Sequence, residues 1–231
     1  MQIIKFHNQD IQVSPRDEAD VSVVREIFKL REYKATEAVI VGAVDPIVDV
    51  GAHAGLFTLY CRALNKRVKI FAIEPEAKNI TALGAHLATN HVSDVKVAVG
   101  ALSGKTGEML LKISEDSHNH RILPDGVVSD PSDMAKITTW TLRDFCAKNK
   151  IKNISLLKMD IEGAEFEVFA SLAPEDYLLF KNVILEYHDN RQRNHHLIES
   201  LLRENGFGVQ KFPSKFDKTM GFIFANNKRL K

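Results

Sequence analysis

The stretch that decides the fold is Val48-Asp-Val-Gly-Ala-His-Ala-Gly-Leu-Phe-Thr58. A hydrophobic strand ends at an acid, and Gly51-x-x-x-Gly55 then leads into a helical pattern over Leu56 to Leu64. Glycines at such a turn let the backbone reverse sharply and bring a ligand close to the peptide groups. The helix that follows offers unpaired N–H groups and a positive dipole end to an anion. Two glycines at this spacing also occur in ordinary tight turns between a strand and a helix. The surroundings must decide.

Outward from this loop the chain alternates. Strand-like runs at Pro46 to Gly51, Val68 to Glu74, Val95 to Val99, Leu156 to Ile161 and Asn182 to Tyr187 are separated by helical patterns. The helical patterns include Glu76 to Asn90, Glu165 to Leu172 and Asn194 to Asn205. Such alternation implies βαβ units and a parallel sheet covered on both faces. Gly107 to Ile113 and Lys136 to Trp140 read as paired strands flanking a long polar loop, Ser114 to Asp133. Gly206 to Phe212 and Thr219 to Ala225 read as an antiparallel hairpin at the end of the sheet. Residues 1–44 read as an accessory cap, and with 45–231 they make one domain.

Composition narrows the function. The 231 residues carry 31 Lys and Arg against 30 Asp and Glu, a net charge of +1. A chain this balanced is a poor candidate for binding nucleic acid through a large positive field. The one basic hint is the carboxyl end, with Lys215, Lys218, Lys228, Arg229 and Lys231. Two cysteines, Cys61 and Cys146, make no disulfide framework and no zinc spacing, so both read as buried thiols. The amino terminus lacks the pattern of a secretory signal, and the most apolar window, Ala38 to Phe57, is too interrupted by Asp45, Asp49 and His53 to span a bilayer. A cytoplasmic protein is expected.

Glu74 closes the next strand, where an acid accepts hydrogen bonds from both ribose hydroxyls of a nucleoside. Asp49, just before the turn, suits an ammonium group. The dinucleotide fingerprint wants glycine where this chain has His53. A ligand offering carboxylate, ammonium and ribose therefore matches S-adenosyl-L-methionine better than a nicotinamide dinucleotide. A second cluster, Leu156-Leu-Lys-Met-Asp-Ile-Glu-Gly-Ala-Glu165, sets Asp160 and Glu162 at the carboxyl end of another strand. Ligands of open α/β sheets lie at that rim, and paired carboxylates there suit acid–base work.

The Asp49 to Gly55 loop, Ile73-Glu-Pro-Glu76 and above all Lys158-Met-Asp-Ile-Glu-Gly-Ala-Glu165 resemble the FkbM-type methyltransferases. The resemblance covers roughly residues 30 to 225, including Thr138 to Asp144 and Glu186-Tyr-His188, and departs at His53, where the family more often has Asn. It implies a Rossmann-like class I methyltransferase fold: a seven-stranded, mostly parallel sheet with one antiparallel strand from the terminal hairpin and helices on both faces. It implies S-adenosyl-L-methionine as cofactor, with Gly51, Ala52, His53 and Gly55 along its methionine part, Glu74 and Pro75 at the ribose, and Ala101 and Leu102 near the adenine. Asp160 is expected at the methyl-transfer crevice.

The expected activity is O-methylation of a small-molecule or saccharide hydroxyl. His188, Asp160 and Glu162 are the candidate acid–base groups. His118, His120, Arg121, Glu186 and Arg191 are expected to border the acceptor. No metal site is expected, and the histidines of the polar loop read as solvated. RNA or protein methylation and a non-catalytic nucleoside-binding module are the competing functions.

Overall fold

The computed structural model describes residues 1–112, 121–123, 134–161, 163–190, 193–214 and 217–230. The chain opens with a hairpin, β1 (Gln2–Phe6) paired antiparallel with β2 (Gln9–Val13). Helix α1 (Glu18–Val24) follows, its amino end capped by the Asp17 carboxylate on the Asp20 amide. The winding loosens to a π-helix over Arg25–Leu30 and stops where Arg31 turns left-handed at φ 57. A 3-10 turn (Glu32–Thr36) and α2 (Glu37–Gly42) complete this segment.

Next come β3 (Ile47–Val50), α3 (Leu56–Leu64), β4 (Ile70–Glu74), α4 (Ala77–Thr89) and β5 (Val95–Val99). Short β6 (Ala101–Leu102), β7 (Gly107–Lys112), β8 (Arg121–Leu123) and β9 (Met134–Trp140) build a second, four-stranded sheet in the order β6-β9-β7-β8. The expected pairing of β7 with β9 is present and antiparallel. The small β6 strand had no signal in the sequence. Two residues are too few to show a period.

The chain then returns to the main sheet through α5 (Leu142–Asn149), β10 (Leu156–Met159), α6 (Glu165–Ser171), β11 (Asn182–His188), α7 (His195–Glu204), β12 (Phe207–Pro213) and β13 (Met220–Asn227). The main sheet has seven strands in the order β12-β13-β11-β10-β3-β4-β5. Every neighbouring pair from β11 to β5 is parallel, whereas β13 runs antiparallel to both β11 and β12. The chain leaves β3 toward β4 on one side and later returns to β10 on the other. The switch point therefore lies between β3 and β10.

Side chains alternate between two cores, as strand geometry requires. Val48, Val50, Leu157, Met159, Val183 and Leu185 meet α5, α6 and α7 through Phe145, Phe166, Phe169, Ile198 and Leu202. Ile47, Leu156, Ile184, Phe222 and Phe224 lie in the other core, with α3 and α4 and with Phe6, Val24, Ile27, Phe28, Tyr33 and Ile40 of the amino-terminal segment. That segment thus shares a core with the sheet. Asn65 joins them further, its amide donating to the carbonyls of Ile40 and Ala43 at the end of α2. No helix among the described residues is long and apolar enough to cross a membrane. Cys61 and Cys146 are free and buried.

Candidate active site

Parallel register explains where the polar residues gather. Asp49 stands opposite Lys158 across β3 and β10, and Phe222 and Met220 stand opposite Glu186 and His188 across β13 and β11. Continuing the alternation of β10 beyond Met159 puts Asp160 on the face of Lys158. At the carboxyl ends of the strands, the apolar series of this face gives way to Asp49, Lys158, Asp160, Glu186 and His188. Above it opens a cavity of about 1280 Å³, walled by Gly51, Ala52, His53, Glu74, Pro75, Ala101, Asp160, Glu186 and His188. The space exceeds what one drug-sized ligand takes, roughly 300–1,000 Å³.

Lys158 is the buried cation of the site. Its ammonium donates to the Gly51 carbonyl at 2.7 Å and lies 3.3 Å from Asp49 and 3.8 Å from Asp160. Burial opposes its charge, but the two carboxylates outweigh burial and hold its pKa above the ordinary lysine value. The Thr58 hydroxyl donates to the other oxygen of Asp49 at 2.7 Å.

The glycine loop is pinned at nearly every peptide. The amides of Gly51 and Ala52 both donate to the Ile73 carbonyl at 3.0 Å. The His53 amide donates to Glu74 Oε2 at 2.8 Å. His86 receives the Ser14 amide on Nε2 at 2.9 Å, so its Nδ1 carries the proton donated to the Ala54 carbonyl at 2.8 Å. His53 itself stands at φ 50, with Nε2 3.1 Å from Arg16 and 3.6 Å from Asp20. The amino-terminal segment therefore braces the loop from behind.

Glu74 also accepts from the Glu76 amide and the Asn79 side chain, each at 3.1 Å. Burial raises its pKa, and the donors from Asn79, Glu76 and His53 oppose that rise. One lone-pair direction on Oε2 remains beyond the His53 amide. Asn79 Oδ1 is a buried acceptor with no hydrogen-bond partner among the described residues. Helix α3 begins without a side-chain cap, and its first residues, Leu56 and Phe57, reach the cavity wall. An uncapped helix end and a buried acid with spare acceptor capacity fit a ligand carrying a carboxylate and a ribose.

The opposite wall comes from the amino-terminal segment. Tyr33 is buried, its ring 4.7 Å from Phe57 and 5.3 Å from Phe222. Burial, then the carboxylates of Asp160, Glu186, Asp49 and Glu32, drive its pKa far above the ordinary phenol, so it stays protonated. Partial burial, with Glu26 and Asp160 nearby, pushes the Glu32 carboxyl up to about 7. His188 Nε2 lies 4.0 Å from Glu186. Below Asp160, the buried Glu165 carboxylate folds back onto the amides of Ile161 and Gly163 at 2.7 and 2.8 Å and shapes the turn.

Three residues expected at the cofactor do not line the cavity. Asp49 is fully buried, and its carboxylate is engaged by Lys158 and Thr58 rather than facing the cavity. Gly55 stands behind the wall, at φ 81, where a Cβ would meet the Leu83 side chain at 2.9 Å; it allows α3 to pack on α4. Leu102 points into the core, while its neighbour Ala101 reaches the cavity. His118, His120, Glu162 and Arg191 lie outside the described residues, and of Arg121 only the β8 backbone is described. Sequence reasoning gave no role to Lys158, Asn79 or Tyr33. For Lys158 a signal existed, because two residues before Asp160 on a strand means the same face. The group His195, His196 and Glu199 has metal-like spacing, but Glu199 is already held by Lys211 and Arg203 at 2.9 Å each.

A seven-stranded sheet with a single antiparallel strand, and a cavity at its switch point, is the class I methyltransferase fold. Residues 49–209 match the family model described as the methyltransferase FkbM domain. The chain belongs to the FkbM methyltransferase family. It is 29% identical over 192 residues to methyltransferase sdnD of Sordaria araneosa, covering 71% of this chain and 73% of that one. It is 28% identical over 212 residues to the 31-O-demethyl-FK506 methyltransferase FkbM of Streptomyces tacrolimicus, covering 80% of each. Among solved structures, the methyltransferase FkbM from Methylobacillus flagellatus KT superposes with a TM-score of 0.54 at 15% identity, over 92% of this chain and 56% of that one. The METTL16 MTase domain gives 0.56 at 13% identity, over 97% and 86%. Membership of this class implies S-adenosyl-L-methionine as methyl donor.

Proposed function

We propose that the protein is an S-adenosyl-L-methionine-dependent O-methyltransferase acting on a hydroxyl of a small molecule or saccharide. The observation that carries this reading is the row Asp160, Glu186, His188 facing a cavity larger than the cofactor half alone requires. The family relative whose name specifies a demethylated oxygen supports oxygen as the acceptor atom.

Bound S-adenosyl-L-methionine would supply an electrophilic methyl group, its sulfur–methyl bond breaking as the oxygen–methyl bond forms and S-adenosyl-L-homocysteine leaving. Glu74 and Asn79 hold the ribose, and the start of α3 receives the carboxylate. Asp160 replaces Asp49 as partner of the ammonium group, since Asp49 is fully buried and Asp160 faces the cavity. His188, beside Glu186, accepts the hydroxyl proton, and Tyr33 donates a hydrogen bond to the acceptor oxygen. The aromatic walls of Phe57 and Phe222 exclude water and align the acceptor, the main contribution open to the protein in such a displacement.

Calorimetry with S-adenosyl-L-methionine tests the cofactor, and no heat at saturating concentrations refutes it. Tritiated-methyl transfer to a fractionated cell extract, with and without nuclease, tests the acceptor. Label in a nuclease-sensitive or protein fraction overturns the small-molecule reading.

A further inference from the structure

We propose that Lys158 is a positioning residue for cofactor binding: its ammonium fixes the Gly51 peptide, and through it the amide that orients Glu74. The proposal rests on the cofactor reading above and gives a function to a residue that reading leaves unused.

The contacts run through the loop in order. Lys158 Nζ reaches the Gly51 carbonyl at 2.7 Å and the Val50 carbonyl at 3.3 Å. Gly51 stands at φ 70, a left-handed conformation that glycine adopts without strain. With the Gly51 carbonyl held inward, the Ala52 amide points at the Ile73 carbonyl. The next amide, of His53, then meets Glu74 Oε2. Without Lys158 the Gly51–Ala52 peptide keeps the bond of its amide to Ile73 but loses the one that holds its carbonyl. The side chain of His86 holds the loop only further on, at the Ala54 carbonyl.

A competing role is plain neutralisation. Asp49 is fully buried, and its charge needs a partner whatever the loop does. The two roles separate in a pair of variants. Lys158→Met removes tether and neutralisation together, and stability falls because a buried carboxylate is left without its cation. Lys158→Met with Asp49→Asn removes the tether and the orphaned charge together, and the side-chain amide oxygen introduced at position 49 still accepts from Thr58. Asp49→Asn alone keeps the tether.

The measurements are thermal melting and calorimetry with S-adenosyl-L-methionine on the full chain. The expected result is a melting temperature that recovers in the double variant while cofactor affinity stays about tenfold or more below wild type, the loss of one charged hydrogen bond. Asp49→Asn alone is expected to bind within a few-fold of wild type. Affinity that returns in the double variant along with stability overturns the tether. So does Asp49→Asn weakening the cofactor as much as Lys158→Met. Wild-type protein that gives no heat overturns the cofactor reading and this proposal with it, a result distinct from either.

Discussion

The backbone carbonyl of Asp160 occupies the space where a Cβ on Gly51 would stand. The two residues end neighbouring strands at the switch point of the sheet, so the glycine loop and the crevice acid are one structural unit. Gly51 is glycine for two reasons, its left-handed φ of 70 and this close approach. Gly51→Ala is expected to lose about 3 kcal/mol or more of stability and to abolish cofactor binding, as clash and left-handed strain add. Gly84 is the contrast: exposed, in the middle of α4, with open space where a methyl group would go. Gly84→Ala is expected to gain about 0.5–1 kcal/mol in urea unfolding. Equal effects at the two positions would refute this account of the loop.

Glu74 carries the ribose in the proposed site and accepts three protein hydrogen bonds as well. Glu74→Gln keeps the shape but removes the charge and half the acceptor capacity. Cofactor affinity in calorimetry is expected to fall about 10- to 100-fold, with a smaller change in melting temperature. An unaltered dissociation constant rules out the ribose contact.

Much of this was legible in one dimension. Strand-like runs alternating with helical patterns, together with the glycine loop, announced the parallel sheet, and two strand-like runs at the end of the chain announced the hairpin that gives β13 its reversed direction. Pairing across strands was not legible. The Asp49–Lys158 contact depends on the register of β3 against β10, residues 109 positions apart in the chain (158 less 49). Read alone, an acid before a glycine turn looks like a ligand group. Tyr33 was hidden for another reason: the π-helical stretch and the left-handed Arg31 break helical periodicity just before it. A segment without a period reads as an accessory, though this one walls the cavity.

His188 is the proposed base. His188→Ala is expected to lower turnover about 100-fold or more while leaving the cofactor dissociation constant unchanged. The measurement uses the acceptor identified by tritium transfer. Turnover within twofold of wild type removes His188 from the mechanism.

Tyr33→Phe keeps the ring between Phe57 and Phe222 and removes only the hydroxyl. With the same acceptor, kcat/KM is expected to fall about tenfold at constant cofactor affinity, the value of one buried hydrogen bond to the reacting oxygen. An unchanged kcat/KM would confine Tyr33 to packing.

Glu165 gives a prediction that needs no ligand. Its carboxyl is buried, and burial pushes its pKa up to about 7 from 4.5, against the pull of the Ile161 and Gly163 amides. The folded state therefore binds a proton more readily than the unfolded chain between these two values. By linkage, the stability associated with this group is fully present below about pH 4.5 and lost as pH rises toward 7. Glu199, pushed down to about 2 by Lys211 and Arg203, acts in the opposite sense, but its window lies below pH 4.5. Urea unfolding from pH 4.5 to 8 is thus expected to show stability declining through this range, with a flatter profile for Glu165→Gln. The same variant keeps one oxygen for the Ile161 amide but sets its NH₂ against the amide of Gly163, so its stability at pH 5 is expected below wild type. Parallel pH profiles for the two proteins would show that Glu165 keeps an ordinary pKa, and that the turn beneath Asp160 is held by a charged carboxylate throughout.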